Sequence, residues 1–210
     1  MGFNLIRWFT DEQYKAVKEY RWRQDKRPLS EDYKDAVGGV VFDVGGFEGD
    51  FAIRCADELS AEVYCFEPIP LFQDRIRSKL AAKGKIQLRP FGLSDSTRCA
   101  KFLMNGLGTA EAATREDAID VQLIDIFNAL ASDAPDGLDL LALNVEGAEY
   151  AILGRLFETG DITKIKHLRI QFHLTVENAR EKYKTISDNL SLTHNLMYRY
   201  PFIWESWSRK

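Results

Sequence analysis

Long apolar runs are what this chain most plainly lacks. No stretch of its 210 residues approaches the roughly 20 apolar residues that cross a bilayer, and no signal-peptide core opens it. The expectation is a soluble, cytoplasmic protein without a membrane span, for which the sequon Asn189-Leu190-Ser191 has no consequence. Cysteine is scarce as well. Cys55, Cys65 and Cys99 form an odd set without a Cys-x-x-Cys pair, which suggests neither a disulfide framework nor a zinc site. A surplus of one charge is also missing. With 28 Lys and Arg against 32 Asp and Glu, the net charge of −4 gives no case for a nucleic-acid partner. Internal repeats and low-complexity segments are absent. A chain of this length, 45% hydrophobic, suffices for one α/β domain.

What is present centres on Gly39-Val40-Val41-Phe42-Asp43-Val44-Gly45-Gly46-Phe47-Glu48-Gly49-Asp50. A short apolar run ends in an acid and a glycine-rich turn, and a helical pattern follows with Phe51, Cys55 and Leu59 on one face. This is the first half of a βαβ unit. Gly45 and Gly49 let the backbone bend and approach a ligand. A dinucleotide fingerprint would carry a second glycine where Phe47 stands, and Asp43, Glu48 and Asp50 would repel phosphate at the helix N-terminus. A cationic, phosphate-free ligand such as S-adenosylmethionine suits this field; the alternative is an ordinary strand-to-helix turn.

Upstream, Asp11 to Gln24 reads as a helix, with Tyr14, Val17 and Arg21 on one face and Pro28 as its breaker. Between Arg7 and Arg27 seven basic residues face four acidic ones, interleaved with Trp8, Phe9, Tyr14, Tyr20 and Trp22. Residues 1–36 are thus expected as a helical extension that either covers an active site or packs on the domain spanning 37–210. Downstream, Glu62-Val63-Tyr64-Cys65-Phe66 reads as the second strand and ends at Glu67-Pro68. Glu67 falls 24 residues after Asp43, where a carboxylate meets ribose hydroxyls. Lys85 to Arg89 is a third strand, followed by Ser94-Asp95, placed for an adenine edge or merely loop. Strand starts near 40, 62, 85 and 138 imply a topological switch between the first and fourth strands. In the interval, Lys101 to Met104 suits a short strand, Leu123 to Leu130 a helix and Asp133 to Gly137 a turn. Gly106-Leu107-Gly108-Thr109 suggests a mobile substrate entrance.

Leu138 to Leu143 is an apolar strand emerging into Asn144-Val145-Glu146-Gly147-Ala148-Glu149. The polar groups either converge on the ligand's reactive end or cap the next helix, Asn144 by its side chain and the acids through the dipole. Ile165 to His173 alternates, with Leu168, Ile170 and Phe172 opposite His167, Arg169, Gln171 and His173. One face is therefore either thinly covered or turned to the site. Asn178 to Leu190 forms a last helix. Leu192 to Tyr200 and Phe202 to Trp207 are closing strands, whose aromatics stack on sugars or pack the sheet edge.

Phe42-Asp43-Val44-Gly45 with Gly49, then Phe66-Glu67-Pro68, Leu93-Ser94-Asp95 and Val145-Glu146-Gly147-Ala148-Glu149 together resemble the FkbM-type methyltransferase family, over about Val40 to His173. The resemblance implies a Rossmann-like class I fold, a mostly parallel seven-stranded sheet ordered 3-2-1-4-5-7-6 with helices on both faces. It implies S-adenosylmethionine as cofactor, held by Asp43, Gly45, Gly46, Phe47, Gly49, Glu67, Pro68, Ser94, Asp95, Asn144 and Val145. It also implies O-methylation, often of a sugar hydroxyl in a glycan, glycolipid or glycosylated metabolite. The chain departs from the family's Lys-Ile-Asp-Val-Glu-Gly at Ala142 and Asn144, which leaves a divalent metal open. Gln171-Phe172-His173 keeps the imidazole of a Glu-x-His. His173 is the candidate general base, with Glu146 and Asn144 beside it as further catalytic candidates. Two other functions stay open, namely methylation of nitrogen or protein, and a non-catalytic descendant that binds cofactor or sugar. The acceptor's identity and the oligomeric state are not written in these residues.

Overall fold

The computed structural model describes residues 12–24, 26–80, 84–105, 108–111 and 118–210. The stretch Val40–Val44 forms β1, whose five residues turn Phe42 and Val44 to one side and Val41 and Asp43 to the other. Because both faces are covered, the strand reads as an apolar run rather than an alternation. It pairs in parallel with β2 (Glu62–Phe66) and β8 (Leu138–Leu143); β3 (Ile86–Arg89) extends the sheet beyond β2. On the other side follow β9 (Ile165–Ile170, parallel), β11 (Trp204–Arg209) and the edge strand β10 (His194–Tyr200), the last two antiparallel. The order is β3-β2-β1-β8-β9-β11-β10. Numbered among these seven alone, that is the expected 3-2-1-4-5-7-6, a mostly parallel α/β sheet. Its switch point lies between β1 and β8.

Helices cover both faces. The apolar stripes of α3 (Asp50–Leu59) and α4 (Pro70–Leu80) bury Ala52, Cys55, Leu59 and Ile76 against Val41, Val63, Cys65 and Leu140. Ala52 thus takes the buried place expected for Phe51, which is half-buried. On the opposite face, α5 (Ile126–Asp133), α6 (Glu149–Thr159) and α7 (Ala179–Thr193) bring Leu130, Ile152, Leu156, Ile186 and Leu190 onto Phe42, Val44, Leu141 and Leu143. No helix among the described residues is long and apolar enough to cross a membrane.

The N-terminal segment differs from its expected pattern. Of the face expected for helix α1 (Glu12–Arg23), Tyr14 is buried, while Val17 is half-buried and Arg21 exposed. The helix also buries Ala16 and Tyr20, with Gln24 just past its end, and this face follows the i, i+4, i+8 spacing of Ala16, Tyr20 and Gln24, because the aromatic ring of Tyr20 packs on Tyr200 and Trp204. Arg7, Trp8, Phe9 and Asp11 lie outside the described residues. Two very short helical turns follow, α2 (Leu29–Asp32) and a 3-10 turn at Lys34–Ala36.

A second, four-stranded sheet takes in the short strand expected at Lys101 to Met104, and its other three strands have no counterpart in the sequence expectations. Its strands are β4 (Gly92–Ser94), β5 (Arg98–Asn105), β6 (Gly108–Glu111) and β7 (Ile119–Asp125), in the order β4-β7-β5-β6. The expected helix over Leu123 to Leu130 is corrected here. Val121 and Leu123 alternate inward with period two as part of β7, and the helix begins only at Ile126. Asp125 makes the switch, since its carboxylate accepts from Phe127 N at 2.9 Å as an N-cap. Gly106 and Leu107 of the expected mobile entrance lie outside the described residues, whereas Gly108 and Thr109 begin β6. Ala100, Val121 and Leu123 pack with Ile69 and Phe72, and so bring this small sheet against the tips of β1 and β2.

The fifth strand is the other revision. Neither of its faces is thinly covered, for His167 and Arg169 are both buried. His167 bonds Asp35 through Nε2 at 2.6 Å, which accounts for a polar side chain on a strand with both sides covered. The strand ends at Ile170, and Gln171–His173 continue past it as irregular chain.

Asp125 joins β7, α5 and α6, since it also accepts from Arg155 Nη2 at 2.9 Å. Asp125→Ala removes a cap and a half-exposed ion pair together. Urea unfolding is expected to show a loss of about 2 kcal/mol, and a loss below about 0.5 kcal/mol would mean the junction contributes nothing.

Candidate functional site

The carboxyl ends of β1, β2 and β8 open into a cavity of about 560 Å³, at the position where open α/β sheets bind ligands. Val44, Gly45 and Phe47 after β1, Glu67 and Pro68 after β2, and Asn144 to Ala148 after β8 line it. The small sheet supplies Leu93, Ser94, Arg98, Phe102 and Leu123 as the opposite wall. A smaller recess of about 150 Å³ shares Gly45, Phe47 and Asn144 with it and adds Asp43, Gly46, Glu48, Asp50, Phe51, Arg169 and Trp204.

The turn after β1 is shaped by contacts that a larger side chain would abolish. Gly45 has φ +86°, and a Cβ there would lie 2.1 Å from the Asn144 carbonyl oxygen. The β1 and β8 tips are thus as close as glycine permits. At Gly46 a Cβ would collide with Cys65 Sγ. Phe47 adopts φ +50°, a strained setting for an aromatic residue, and packs edge-to-face against Phe72 with centroids 4.6 Å apart.

Glu67 is the anchor of this end. It is 4% exposed, yet its two oxygens accept from Phe47 N and Ile69 N, each at 2.8 Å. These bonds fix the carboxylate plane and leave further lone pairs on both oxygens for ligand hydroxyls. Burial raises its pKa to about 7 against the pull of those two amides. Asp43 is raised to about 6, also by burial, with Arg169, the Ala52 amide and Cys65 acting in the opposite sense. Among the described residues neither acid has an ion-pair partner, so each retains acceptor capacity for hydroxyl and ammonium donors. Glu48 and Asp50 are engaged elsewhere, with Arg75 at 2.6 Å and Lys79 at 2.7 Å. Ser94 lines the cavity. Asp95 does not; it is exposed, and its Oδ1 accepts from the Ser94 and Ser96 hydroxyls. Gly49 lies outside both cavities and serves instead as the left-handed start of α3, with φ +80°.

At the other end, Glu149 is fully buried and ties two loops together. It accepts from Gly147 N at 2.9 Å and from His173 N at 2.6 Å, and its Oε1 lies 3.2 Å from His173 Nδ1. The other imidazole nitrogen, Nε2, is 3.7 Å from Glu146 Oε2. Burial pulls the His173 pKa down, but the bond and charge of Glu149 and the charge of Glu146 outweigh it, so the group titrates above the ordinary histidine value. Glu146 lines the cavity with its backbone at φ +51°; His173 stands behind it and is not part of the lining. The alternative of Asn144 as a helix cap is not realised, since α6 starts beyond Ala148 with no side-chain cap. Its amide is left to face both cavities. Among the described residues, no three His, Cys, Asp or Glu side chains gather in a way that could hold a metal ion.

Sequence reasoning did not single out Glu149 as a clamp, nor Phe72, Arg98, Phe102, Leu123 and Thr175 as lining residues. Their roles depend on elements distant in the chain, and no local motif marks them. Arg169 had a legible signal, a cation on the polar face of an alternating strand in the interior of the sheet.

Residues 43–200 match the model of the methyltransferase FkbM domain. None of the curated proteins compared with the chain matches it. Among solved structures, an rRNA methylase from Streptococcus thermophilus is similar in fold, at 12% identity and a TM-score of 0.52, over 89% of this chain and 98% of that one. A methyltransferase from Podospora anserina, bound to S-adenosylhomocysteine, aligns at 10% identity and a TM-score of 0.51, covering 100% and 98%. A putative methyltransferase from Streptococcus mutans, also with S-adenosylhomocysteine, aligns at 10% identity and a TM-score of 0.50, covering 88% and 99%.

The raised Asp43 pKa has a thermodynamic consequence in the ligand-free protein. The folded state holds this proton more tightly than the unfolded chain, so the stabilisation is complete below the ordinary value of 3.8 and is lost as pH rises through about 6. Asp43→Asn is therefore expected to gain stability relative to wild type between pH 4 and pH 7.5, by on the order of 1–3 kcal/mol. Urea unfolding at both pH values checks this, and an unchanged difference would contradict it.

Proposed function

The chain belongs to the FkbM methyltransferase family and uses S-adenosylmethionine, and from that premise we propose that it methylates a hydroxyl group of a small glycosyl acceptor. The observation that carries the reading is Glu146, a carboxylate on a left-handed loop at the β8 tip, facing the cavity and backed by His173. When bound, S-adenosylmethionine supplies a methyl on a positively charged sulfur, which needs an aligned nucleophile more than it needs activation.

The chain's own residues account for the rest. Glu67 would receive the ribose hydroxyls, Ser94 and the apolar walls of Pro68, Leu93 and Leu123 would border the base, and Gly45, Gly46, Phe47 and Val145 would shape the floor. A buried Glu67 with open lone pairs fits a nucleoside and not a phosphate. Glu146 then remains as the acid not engaged with the nucleoside, and a hydroxyl acceptor needs somewhere for its proton to go. We assign that proton to the Glu146–His173 pair. Glu146 makes the contact, His173 shares the proton through Nε2, and Glu149 holds the imidazole from behind through Nδ1. Asn144 is proposed to orient the acceptor or the cofactor's amino group from the adjoining tip. A neutral or weakly charged acceptor accords with a net charge of −4 better than a polyanion does. Polar Glu146 and Thr175 among apolar walls suit a sugar. The cytoplasm is the proposed place of action.

Labelled methyl transfer to a panel of glycosides, matched with amino-sugar analogues, tests the reading. Label on oxygen supports it, and label confined to nitrogen refutes it. Glu146→Gln is expected to lower kcat by about 10²–10⁴ with cofactor affinity intact. The acid limb of kcat/KM should lie above the ordinary histidine pKa of 6.5, because the pair must be free of the proton to accept another, and it should move in His173→Ala. Wild-type turnover by both variants would remove the pair from the chemistry.

A further inference from the structure

The methyl-transfer reading leaves one strongly charged group without a task. Arg169 lies one residue before the carboxyl end of β9, is 7% exposed and carries a charge that no accessible pH removes. Burial of such an ion is costly unless something answers it. Among the described residues no carboxylate lies within ion-pair distance of it. Its recorded hydrogen bond is from Nη2 to the Tyr20 hydroxyl at 2.7 Å, which occupies one of five donors. Aromatic rings complete the surroundings. The guanidinium carbon sits 3.5 Å from the centroid of Trp204 and 4.4 Å from that of Phe51, contacts that fix its plane without neutralising it.

The strand register explains how this cation reaches the site. Asp43, Ala142 and Arg169 stand opposite one another on β1, β8 and β9, in one row across the sheet. The middle residue is an alanine, so only a methyl group stands between the acid and the arginine, and both line the 150 Å³ recess. That recess joins the large cavity through Gly45, Phe47 and Asn144. A ligand seated on Glu67 therefore has room to extend toward a place holding one buried cation, one buried acid and one amide. Opposite charges a short distance apart are the complement of a zwitterion.

We propose that Arg169, Asp43 and Asn144 form the subsite for the α-amino-carboxylate end of S-adenosylmethionine, the guanidinium binding the carboxylate and the Asp43 carboxylate with the Asn144 amide oxygen binding the ammonium. This rests on the cofactor reading above and adds a residue to it. Arg169 is a binding residue for the cofactor's tail, and Tyr20 of α1 positions it. Ala142, where the family resemblance places a lysine, is the gap that lets a cation from the neighbouring strand serve.

Calorimetric titration of the full chain tests this with three nucleosides: S-adenosylmethionine, its decarboxylated form, which keeps the ammonium, and 5′-methylthioadenosine, which lacks both charges. Wild type should bind S-adenosylmethionine at least about tenfold tighter than the decarboxylated form. In Arg169→Met that ratio should fall to near one while affinity for methylthioadenosine is retained. Persistence of the ratio in the variant overturns the proposal, as does equal loss of all three ligands, which would make Arg169 structural only. Should Arg169→Met fail to fold, the wild-type ratio decides, and a value near one overturns the inference while leaving the nucleoside site standing. No binding of any of the three by wild type would instead refute the cofactor site itself.

Discussion

Everything at this site depends on two carboxylates kept out of water. Asp43 and Glu67 stand at the tips of adjacent parallel strands, and burial pushes both above the ordinary carboxylate range. The fold tolerates them because backbone amides at Phe47 and Ile69 hold Glu67, and because Arg169 shares the field of Asp43 from two strands away. A group that loses hydration on folding regains it, in effect, when a ligand offers hydroxyls or an ammonium.

The end of the cavity beside β8 and β9 is built on a different principle. Glu149 is buried with its lone pairs satisfied by Gly147 and His173, so it joins the loops after β8 and β9 into one rigid unit. Rigidity there places strain in Glu146, whose left-handed backbone persists only because its neighbours are fixed. The carboxylate is consequently presented to the cavity rather than folded back onto the helix. One buried acid ties the loops together, and one exposed acid is turned to the cavity.

Between the two ends, the small β4-β7-β5-β6 sheet closes the wall of the cavity. Its apolar residues pack on Phe72 and Ile69 and make the wall continuous with α4. Arg98 and Phe102 from this sheet reach the cavity, although their strand is remote from the motifs of the central sheet.

The sequence by itself determined the parallel core, because strands covered on both faces leave unbroken apolar runs such as Val40–Val44 and Leu138–Leu143. It determined the switch point as well, since strand spacing and the acids at Asp43 and Glu67 are local properties. It did not determine which polar residues face the ligand. Asp95 and Gly49 carry the right chemistry yet turn away, while Glu149 and Arg169 become decisive through partners 24 residues and two strands distant. The β7 strand was hidden for a related reason, as its period-two pattern runs into the helix that Asp125 caps. Side-chain direction and cross-strand neighbours are set by register and packing, and only the tertiary structure could decide them.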